Sequence, residues 1–176
     1  MAAVCVFCAS STRIEQRWLD LAYDLGVALA RRGHTLVSGG GRVGMMGTVA
    51  EGARSMGAYT VGVIPESLVF QEAADPASDE LVTTADMAER KSVMMAKADA
   101  FVVLPGGLGT LDELFEVWTT GSLALHDKPV VLVNVDGFYA GLLDWVRGLV
   151  RPGFVQAGAL ASLIVVDSIG AALDAI

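Results

Sequence analysis

The sequence predicts an α/β protein with one parallel sheet that carries helices on both faces. Seven short apolar runs, rich in β-branched residues and bounded by Gly, Pro, Ser or Asp, alternate with longer amphipathic segments. Short apolar runs of this kind are typical of strands that are buried on both faces. Their alternation with helical segments favours a parallel sheet, because a parallel connection needs a crossover helix.

The predicted strands follow from these runs in chain order. The first run contains Cys5 and Cys8, but a C-x-x-C pair alone lacks the second pair of ligands that a zinc site needs. We therefore expect a buried strand with two free thiols. The runs are Ala2–Cys8, Thr35–Val37, Tyr59–Ile64, Leu81–Thr84, Ala100–Leu104, Pro129–Val133 and Leu163–Val166.

Four of the intervening segments predict helices, because apolar residues recur in each at the spacing of one helix face. No linker, repeat or low-complexity segment interrupts the alternation. The apolar stripes are Trp18, Leu21, Leu25, Ala28 and Leu29; Met87, Met94, Met95 and Ala98; Leu111, Leu114, Phe115, Trp118 and Ser122; and Phe138, Leu142, Trp145, Val146 and Leu149.

Composition narrows the class of protein. The chain has 176 residues, 53% hydrophobic and 18% charged, with a net charge of −8. This length predicts one domain, and the apolar content excludes a disordered chain. The acidic balance argues against a general nucleic-acid binder, which carries a basic face.

The sequence does not predict a membrane span or a signal peptide. Pro152–Val166 is the longest stretch without a charged residue and is too short to span a membrane. No signal peptide is visible. We expect a cytoplasmic protein.

Ligands of parallel sheets bind beyond the carboxyl ends of the strands, so the loops that follow strands are the candidates for chemistry. The first is Ala9-Ser10-Ser11-Thr12. The hydroxyl of Ser10 can donate to a bound anion, or this loop can simply cap the helix that follows. The residues alone leave both interpretations open.

The second loop runs from Ser38 to Gly47 and has four glycines within residues 39–44. Glycines let the backbone approach a ligand and expose its N–H groups, so Gly40 and Gly41 are candidate ligand contacts. The spacing also fits G-x-G-x-x-G, which suggests a dinucleotide site. Because the loop follows the second strand, a NAD-binding oxidoreductase is only a rival hypothesis.

The third loop is Pro105-Gly106-Gly107-Leu108-Gly109-Thr110-Leu111-Asp112-Glu113. The amides of residues 106–110 at a helix start predict an anion site. The chain has no G-x-x-x-x-G-K-[ST] sequence, so triphosphate chemistry is not indicated. Glu113 has two interpretations: it closes a capping box with Thr110, or it faces the sugar of a bound nucleotide.

Arg90 and Lys91 lie on or beside the face of the Met87 helix that should be buried. A desolvated cation needs a partner. That partner is either a structural carboxylate or a bound phosphate. A phosphate is possible because this helix follows a strand and so begins at the ligand edge of the sheet.

Together these segments resemble a known family. Residues 105–113 match the PGGxGTxxE signature of the LOG ("Lonely Guy") cytokinin-activating phosphoribohydrolases, which are often mislabelled lysine decarboxylases. Residues 38–47 resemble the family's GGGxxGxMG loop, residues 87–91 its MxxRK segment, and residues 125–129 its HDKP turn. The resemblance runs in order from about Val4 to Val166 and covers nearly the whole chain.

The resemblance implies one Rossmann-like hydrolase domain over residues 1–176, acting as a homodimer or higher oligomer without a metal or redox cofactor. Such an enzyme hydrolyses N6-substituted adenosine 5′-monophosphates to the free base and ribose 5-phosphate, with AMP as a weaker substrate. Carried over by position, Arg90 and Glu113 are the catalytic pair. The substrate-binding residues are then Glu72, Lys91, Gly107, Leu108, Gly109, Thr110 and Thr119, and the amide of Gly106 completes the phosphate cradle.

Three departures from the family pattern bear on base preference. Ser38 stands where the family often has Tyr or Trp, and Arg42 where it often has Ser. Cys8-Ala9-Ser10-Ser11 differs slightly from the family's usual CGSS. Two other functions stay open: a broader AMP or purine-monophosphate nucleosidase, and a non-catalytic molybdenum-cofactor carrier of the same fold. A lysine decarboxylase is disfavoured, because no pyridoxal phosphate motif is visible.

Overall fold

The computed structural model describes residues 1–70 and 73–176, and its seven strands form one wholly parallel sheet. The strand order is β4-β3-β2-β1-β5-β6-β7. All seven apolar runs are confirmed as strands, with no end shifted by more than one residue. They are β1 Ala3–Phe7, β2 Thr35–Ser38, β3 Thr60–Pro65, β4 Glu80–Thr84, β5 Ala100–Val103, β6 Val130–Val133 and β7 Leu163–Val166.

Seven α-helices lie within the described residues. The four apolar stripes fall on α1, α3, α4 and α5, with three residues outside the helices. Phe138 precedes α5, since a 3-10 turn at Val135–Gly137 delays the helix, and Ala98 and Leu149 are the C-caps of α3 and α5. Helices α2, α6 and α7 carry none of the predicted stripes; α6 and α7 are too short to show one. The helices are α1 Gln16–Arg31, α2 Gly44–Ser55, α3 Met87–Lys97, α4 Leu108–Ser122, α5 Ala140–Gly148, α6 Ala157–Ala161 and α7 Ile169–Asp174.

The core has two layers, one on each face of the sheet. Val4 and Val6 of β1 pack with α1, α2 and α7, whereas Cys5 and Phe7 pack with α3, α4 and α5. Alternate residues of one strand therefore enter opposite layers, as expected of a strand covered on both sides. Both cysteines are free thiols, as predicted.

The central position of β1 decides where a ligand can bind. β1 pairs with β2 on one side and with β5 on the other, so the chain changes direction across the sheet between β1 and β5. A crevice forms at such a switch point, beyond the carboxyl ends of the two strands. The loops that follow β1 and β5 meet there. In the part of the chain described, no helix is both long and apolar enough to cross a bilayer.

Candidate active site

A cleft of about 260 Å³ lies at this switch point. It brings together side chains and loops from four elements that are far apart in sequence: the loop after β1, the loop after β2, helix α3 and the start of α4. Of the predicted site residues, seven line it: Ser10, Arg90, Gly107, Leu108, Gly109, Thr110 and Glu113.

Helix α4 points its N-terminus into this cleft. Its N-cap is Gly107, and the first intrahelical bond runs from the N–H of Leu111 to the carbonyl oxygen of Gly107, at 3.0 Å. The amides of Leu108, Gly109 and Thr110 precede that bond, so they are available to a ligand and carry the positive end of the helix dipole. The arrangement can bind a phosphate.

The capping-box interpretation of Glu113 is wrong. Because α4 already begins after Gly107, Thr110 is the third helical residue and Glu113 lies in the second turn. Helix capping also fails for the loop after β1, since α1 begins at Gln16 with Glu15 as its N-cap. Ser10 instead lies at the rim of the cleft.

The carboxylate of Glu113 lies above the end of β1. Burial, and secondly the negative charge of Glu113, raise the pKa of the Cys8 thiol. The same two causes, in the same order, raise the pKa of Cys5. Cys8 lines the floor of the cleft, and its raised pKa keeps it a neutral thiol, unsuited to act as a nucleophile. Among the described residues that line the cleft, Glu113 is the one with a carboxyl group.

Arg90 is 4% exposed and reaches the cleft from α3. Its Nε donates to the carbonyl oxygen of Val63 at 3.1 Å, and its Nη2 donates to that of Gly39 at 2.8 Å. These two bonds fix the plane of the guanidinium group. Helix α3 is itself anchored by Asp86, whose side chain accepts from the amide of Glu89 at 2.9 Å.

Lys91 is paired with two carboxylates of the neighbouring helix. Its Nζ lies 2.9 Å from the carboxylate of Asp112 and 2.6 Å from that of Glu116, both on the outer side of α4. These two hydrogen-bonded carboxylates raise the pKa of Lys91. Lys91 is not among the residues that line the cleft. It joins α3 to α4 beside the site.

Gly40 and Gly41 lie behind the cleft and hold the segment that follows β3. The amide of Asp75 donates to the Gly40 oxygen at 2.8 Å, and Gly41 pairs with Ala74 in an antiparallel bridge. An ion pair of 2.8 Å between Asp75 and Arg54 ties this segment to α2. Glu72, predicted to contact the substrate, lies outside the described residues.

Gly106 and Thr119 also fall outside the cleft lining. A Cβ on Gly106 would overlap the Thr110 hydroxyl oxygen, so Gly106 leaves room for that side chain. Thr119 is exposed and lines a second, apolar groove of about 550 Å³ between α4, α5 and α6. Large exposed side chains border this groove, among them Leu123, Trp145 and Phe154.

Sequence reasoning missed two features of the site. An apolar wall formed by Met46, Met87 and Leu68 faces the polar groups. Tyr139, which is 3% exposed, donates from its hydroxyl to the carbonyl oxygen of Leu104 at 2.8 Å. Tyr139 is far from this loop in sequence, so no local motif signals the contact.

The cleft thus combines a dipole-charged amide cradle, a fixed guanidinium group and a carboxylate. Such a set can bind a phosphorylated sugar and stabilise positive charge on it. Within residues 1–70 and 73–176, no group of three or more His, Cys, Asp and Glu side chains is placed to hold a metal ion.

Known proteins are similar to this chain over most of its length. Residues 46–176 match the model of a family described as possible lysine decarboxylase. The curated cytokinin riboside 5′-monophosphate phosphoribohydrolase of Mycobacterium tuberculosis is 51% identical over 98% of this chain and 91% of that protein. Its counterpart LOG4 of Arabidopsis thaliana is 44% identical over 92% of this chain and 75% of that protein.

Solved structures share the architecture. The molybdenum cofactor carrier protein from Chlamydomonas reinhardtii has a TM-score of 0.75, with 98% of this chain and 94% of that chain covered. Sequence identity is 22%, so this likeness shows the fold alone. It confirms the predicted Rossmann-like α/β class.

Proposed function

Because this chain belongs to the LOG family, we propose that it is an N-glycosyl hydrolase that cleaves cytokinin riboside 5′-monophosphates to the free base and ribose 5-phosphate. Its curated relatives carry the name cytokinin riboside 5′-monophosphate phosphoribohydrolase. The observation that carries the proposal is the convergence of Arg90, Glu113 and the α4 N-terminus on one cleft. Each of these groups can serve in hydrolysing a phosphorylated N-riboside: the cation and the amides bind its phosphate, and the carboxylate stabilises positive charge on its sugar.

The 5′-phosphate binds at the start of α4. The amides of Leu108, Gly109 and Thr110 point to the cleft, and a Cβ added to Gly107 or Gly109 would meet no protein atom within 4 Å. The space above these two residues is therefore open to a ligand. A phosphate held there gains from the helix dipole.

Glu113 stabilises the reacting sugar. Positive charge develops on the ribose as the bond from C1′ to the base nitrogen breaks, as in glycoside hydrolysis. The electron pair leaves with the base, water supplies a hydroxyl to C1′, and the remaining proton goes to the base. Glu113 lies one helical turn beyond Thr110. A phosphate fixed on the α4 amides therefore holds the sugar near this carboxylate.

Arg90 completes the site from helix α3. Its guanidinium group, held by two backbone carbonyls, presents a fixed positive charge to the phosphorylated ribose. A pre-oriented group loses little entropy on binding, and positioning of this kind contributes several kcal/mol to catalysis (roughly 7–11 at the upper limit). Lys91 supports Arg90 indirectly by joining α3 to α4.

Decarboxylation of lysine does not fit these residues. Pyridoxal phosphate enzymes hold their cofactor through a lysine Schiff base. The cleft residues that the structure describes include no lysine, and Lys91 is committed to Asp112 and Glu116. Lysine decarboxylation, the activity in the description of the matching family model, is therefore not the chemistry that this cleft supports.

The proposal is tested by incubating the purified protein with isopentenyladenosine monophosphate and with AMP, then separating the products by chromatography. Release of isopentenyladenine and ribose 5-phosphate, faster than adenine from AMP, is the expected result. Faster cleavage of AMP would indicate a general nucleotide salvage enzyme. Binding without release of either base, from a folded sample, would overturn the hydrolase and favour a carrier.

We also infer that the protein forms a homodimer through the groove between α4, α5 and α6. Trp145 is 62% exposed, Phe154 81% and Leu123 64%. Contiguous exposed apolar surface of this kind marks an interaction site, and Thr119 lies within it. Light scattering is expected to give twice the mass of the chain, and Trp145→Lys to give the monomer. A wild-type monomer at micromolar concentration would refute the dimer.

We propose that the protein works in the cytoplasm. Cys5 and Cys8 are free thiols, as suits a reducing compartment. Fractionation of cells that express the chain at native level tests this: recovery outside the cytoplasmic fraction would contradict it.

A further inference from the structure

The glycine at position 39 has no conformational reason to be a glycine. Its φ is outside the left-handed region, unlike that of Gly40, where φ is +73°. Gly39 directly follows β2 and is buried. Backbone geometry at this position accepts any L-residue, so the absence of a side chain has another cause.

The cause is the guanidinium group of Arg90. A Cβ built on Gly39 would overlap Arg90 Nη2 and lie 3.1 Å from Arg90 Cζ. The carbonyl oxygen of the same glycine accepts the 2.8 Å bond from Nη2. Gly39 thus does two things for one atom: its oxygen holds Nη2, and its missing side chain leaves the space that Nη2 fills.

The other atom that a Cβ would meet can give way. Met46 Sδ would lie 2.6 Å from the added carbon and is 3.8 Å from Arg90 Nη2. Methionine has three rotatable bonds and adapts readily. Arg90 cannot yield in the same way without losing its bonds to Gly39 and Val63, because they define its orientation.

We infer that Gly39 is a positioning residue for Arg90. Any side chain at position 39 displaces the guanidinium group from its hydrogen bonds to the Gly39 and Val63 carbonyl oxygens. The catalytic consequence rests on the proposed function. A misplacement of about 1 Å in a catalytic site costs roughly 100-fold in rate. Gly39→Ala is therefore expected to fold, since the clash is with a side-chain end, and to lose at least about tenfold in kcat/KM.

The test compares Gly39→Ala in two backgrounds, the wild type and Arg90→Lys. Arg90→Lys removes Nη2 and ends in an ammonium group near the position of Cζ, 3.1 Å from the added carbon. In that background Gly39→Ala is expected to change kcat/KM by less than threefold. Gly141→Ala is the matched control, because a Cβ there meets nothing within 4 Å and the residue is remote from the cleft. It is expected to leave activity within twofold.

A crystal structure of Gly39→Ala decides the inference without reference to activity. A guanidinium group shifted from the Gly39 and Val63 carbonyls supports it. An unmoved guanidinium group, or an equal loss of kcat/KM in the wild-type and Arg90→Lys backgrounds, overturns it. If the wild-type protein releases no base, the proposed function fails, and the crystal structure still tests the positioning role.

Discussion

The hydroxyl of Tyr139 lies 2.8 Å from the carbonyl oxygen of Leu104, to which it donates a hydrogen bond. Leu104 directly follows β5 and begins the loop that leads to the α4 amides, so this bond ties Tyr139 to the start of that loop. Burial raises the pKa of Tyr139, which keeps the phenol protonated as a donor. The loop before α4 is thus anchored by the residue that precedes α5.

Tyr139→Phe tests this anchor. The substitution leaves the Leu104 oxygen without its buried donor, so it is expected to lower the free energy of unfolding by about 1–3 kcal/mol. The loosened loop is expected to raise KM for AMP more than it lowers kcat. Thermal unfolding and steady-state kinetics measure the two effects. Tyr59→Phe is the control, because Tyr59 is 51% exposed; equal melting of both variants would contradict the anchor.

Glu113→Gln tests the proposed catalytic role of the Glu113 carboxylate. Since α4 is capped at Gly107, the change removes charge without removing a helix cap. Melting is expected to stay near that of the wild type, AMP to bind, and kcat to fall by about 100-fold or more. Glu51→Gln, the same change at an exposed position of α2, is the control and is expected to stay within twofold. Near-normal turnover by Glu113→Gln would exclude its catalytic role.

Asp75→Asn tests the ion pair that ties the segment after β3 to α2. The Asp75 side chain is 6% exposed and that of Arg54 26%. Removing one partner of a buried pair leaves the other charge uncompensated, so a loss of about 3 kcal/mol in unfolding free energy is expected. Asp144→Asn breaks an exposed pair with Arg147 at the same 2.8 Å and is expected to cost under about 0.5 kcal/mol. Denaturant titration of both variants gives the comparison, and equal losses would contradict it.

Asp79→Asn tests a pH-dependent contribution to stability. Hydrogen bonds from the amide and hydroxyl of Thr60 lower the pKa of Asp79 in the folded protein. The carboxylate therefore stabilises the fold fully above its unfolded pKa of about 4, and this contribution is lost as the pH falls through the lower folded value. The variant is expected to melt below the wild type at pH 7, with the difference shrinking below about pH 4. Asp24→Asn, at an exposed position of α1, is expected to show no such difference. A gap that is unchanged at about pH 3 would refute this origin.

Much of the fold could be predicted because its signals are local. The run Val130–Val133, rich in β-branched residues, indicates a strand, and the apolar stripe of α4 indicates a helix. In both cases the pattern lies within a single element. The order of loops along the chain, with the parallel sheet, was enough to place the cleft beyond the strand ends. Helix starts were less predictable. Thr110 and Glu113 have the spacing of a capping box, yet the helix begins earlier, at Leu108, with Gly107 as its N-cap. Glycine occurs in turns as well as at helix starts, so the sequence does not mark this position as an N-cap.

The adjacent cations Arg90 and Lys91 have different partners in the fold, which local sequence patterns do not predict. Periodicity placed both on or beside one buried face, and the shared need for a partner suggested one role. In the fold they diverge: Arg90 enters the cleft, whereas Lys91 pairs with carboxylates of α4. Side chains one residue apart on a helix point about 100° apart, so neighbouring residues meet different elements.

Residue types and their periodicity, which act within a few positions along the chain, were enough to indicate the parallel sheet, its covering helices and the amide cradle at the start of α4. The order of the strands in the sheet decided which distant side chains and loops meet at the site. Arg90 meets Gly39 across 51 positions, and Tyr139 meets Leu104 across 35. Gly39 follows β2 and Arg90 lies on the helix after β4, whereas Leu104 follows β5 and Tyr139 follows β6. The order of these strands in the sheet brings each pair together. Packing of distant segments, which no local pattern encodes, thereby sets the orientation of Arg90 and of the loop before α4.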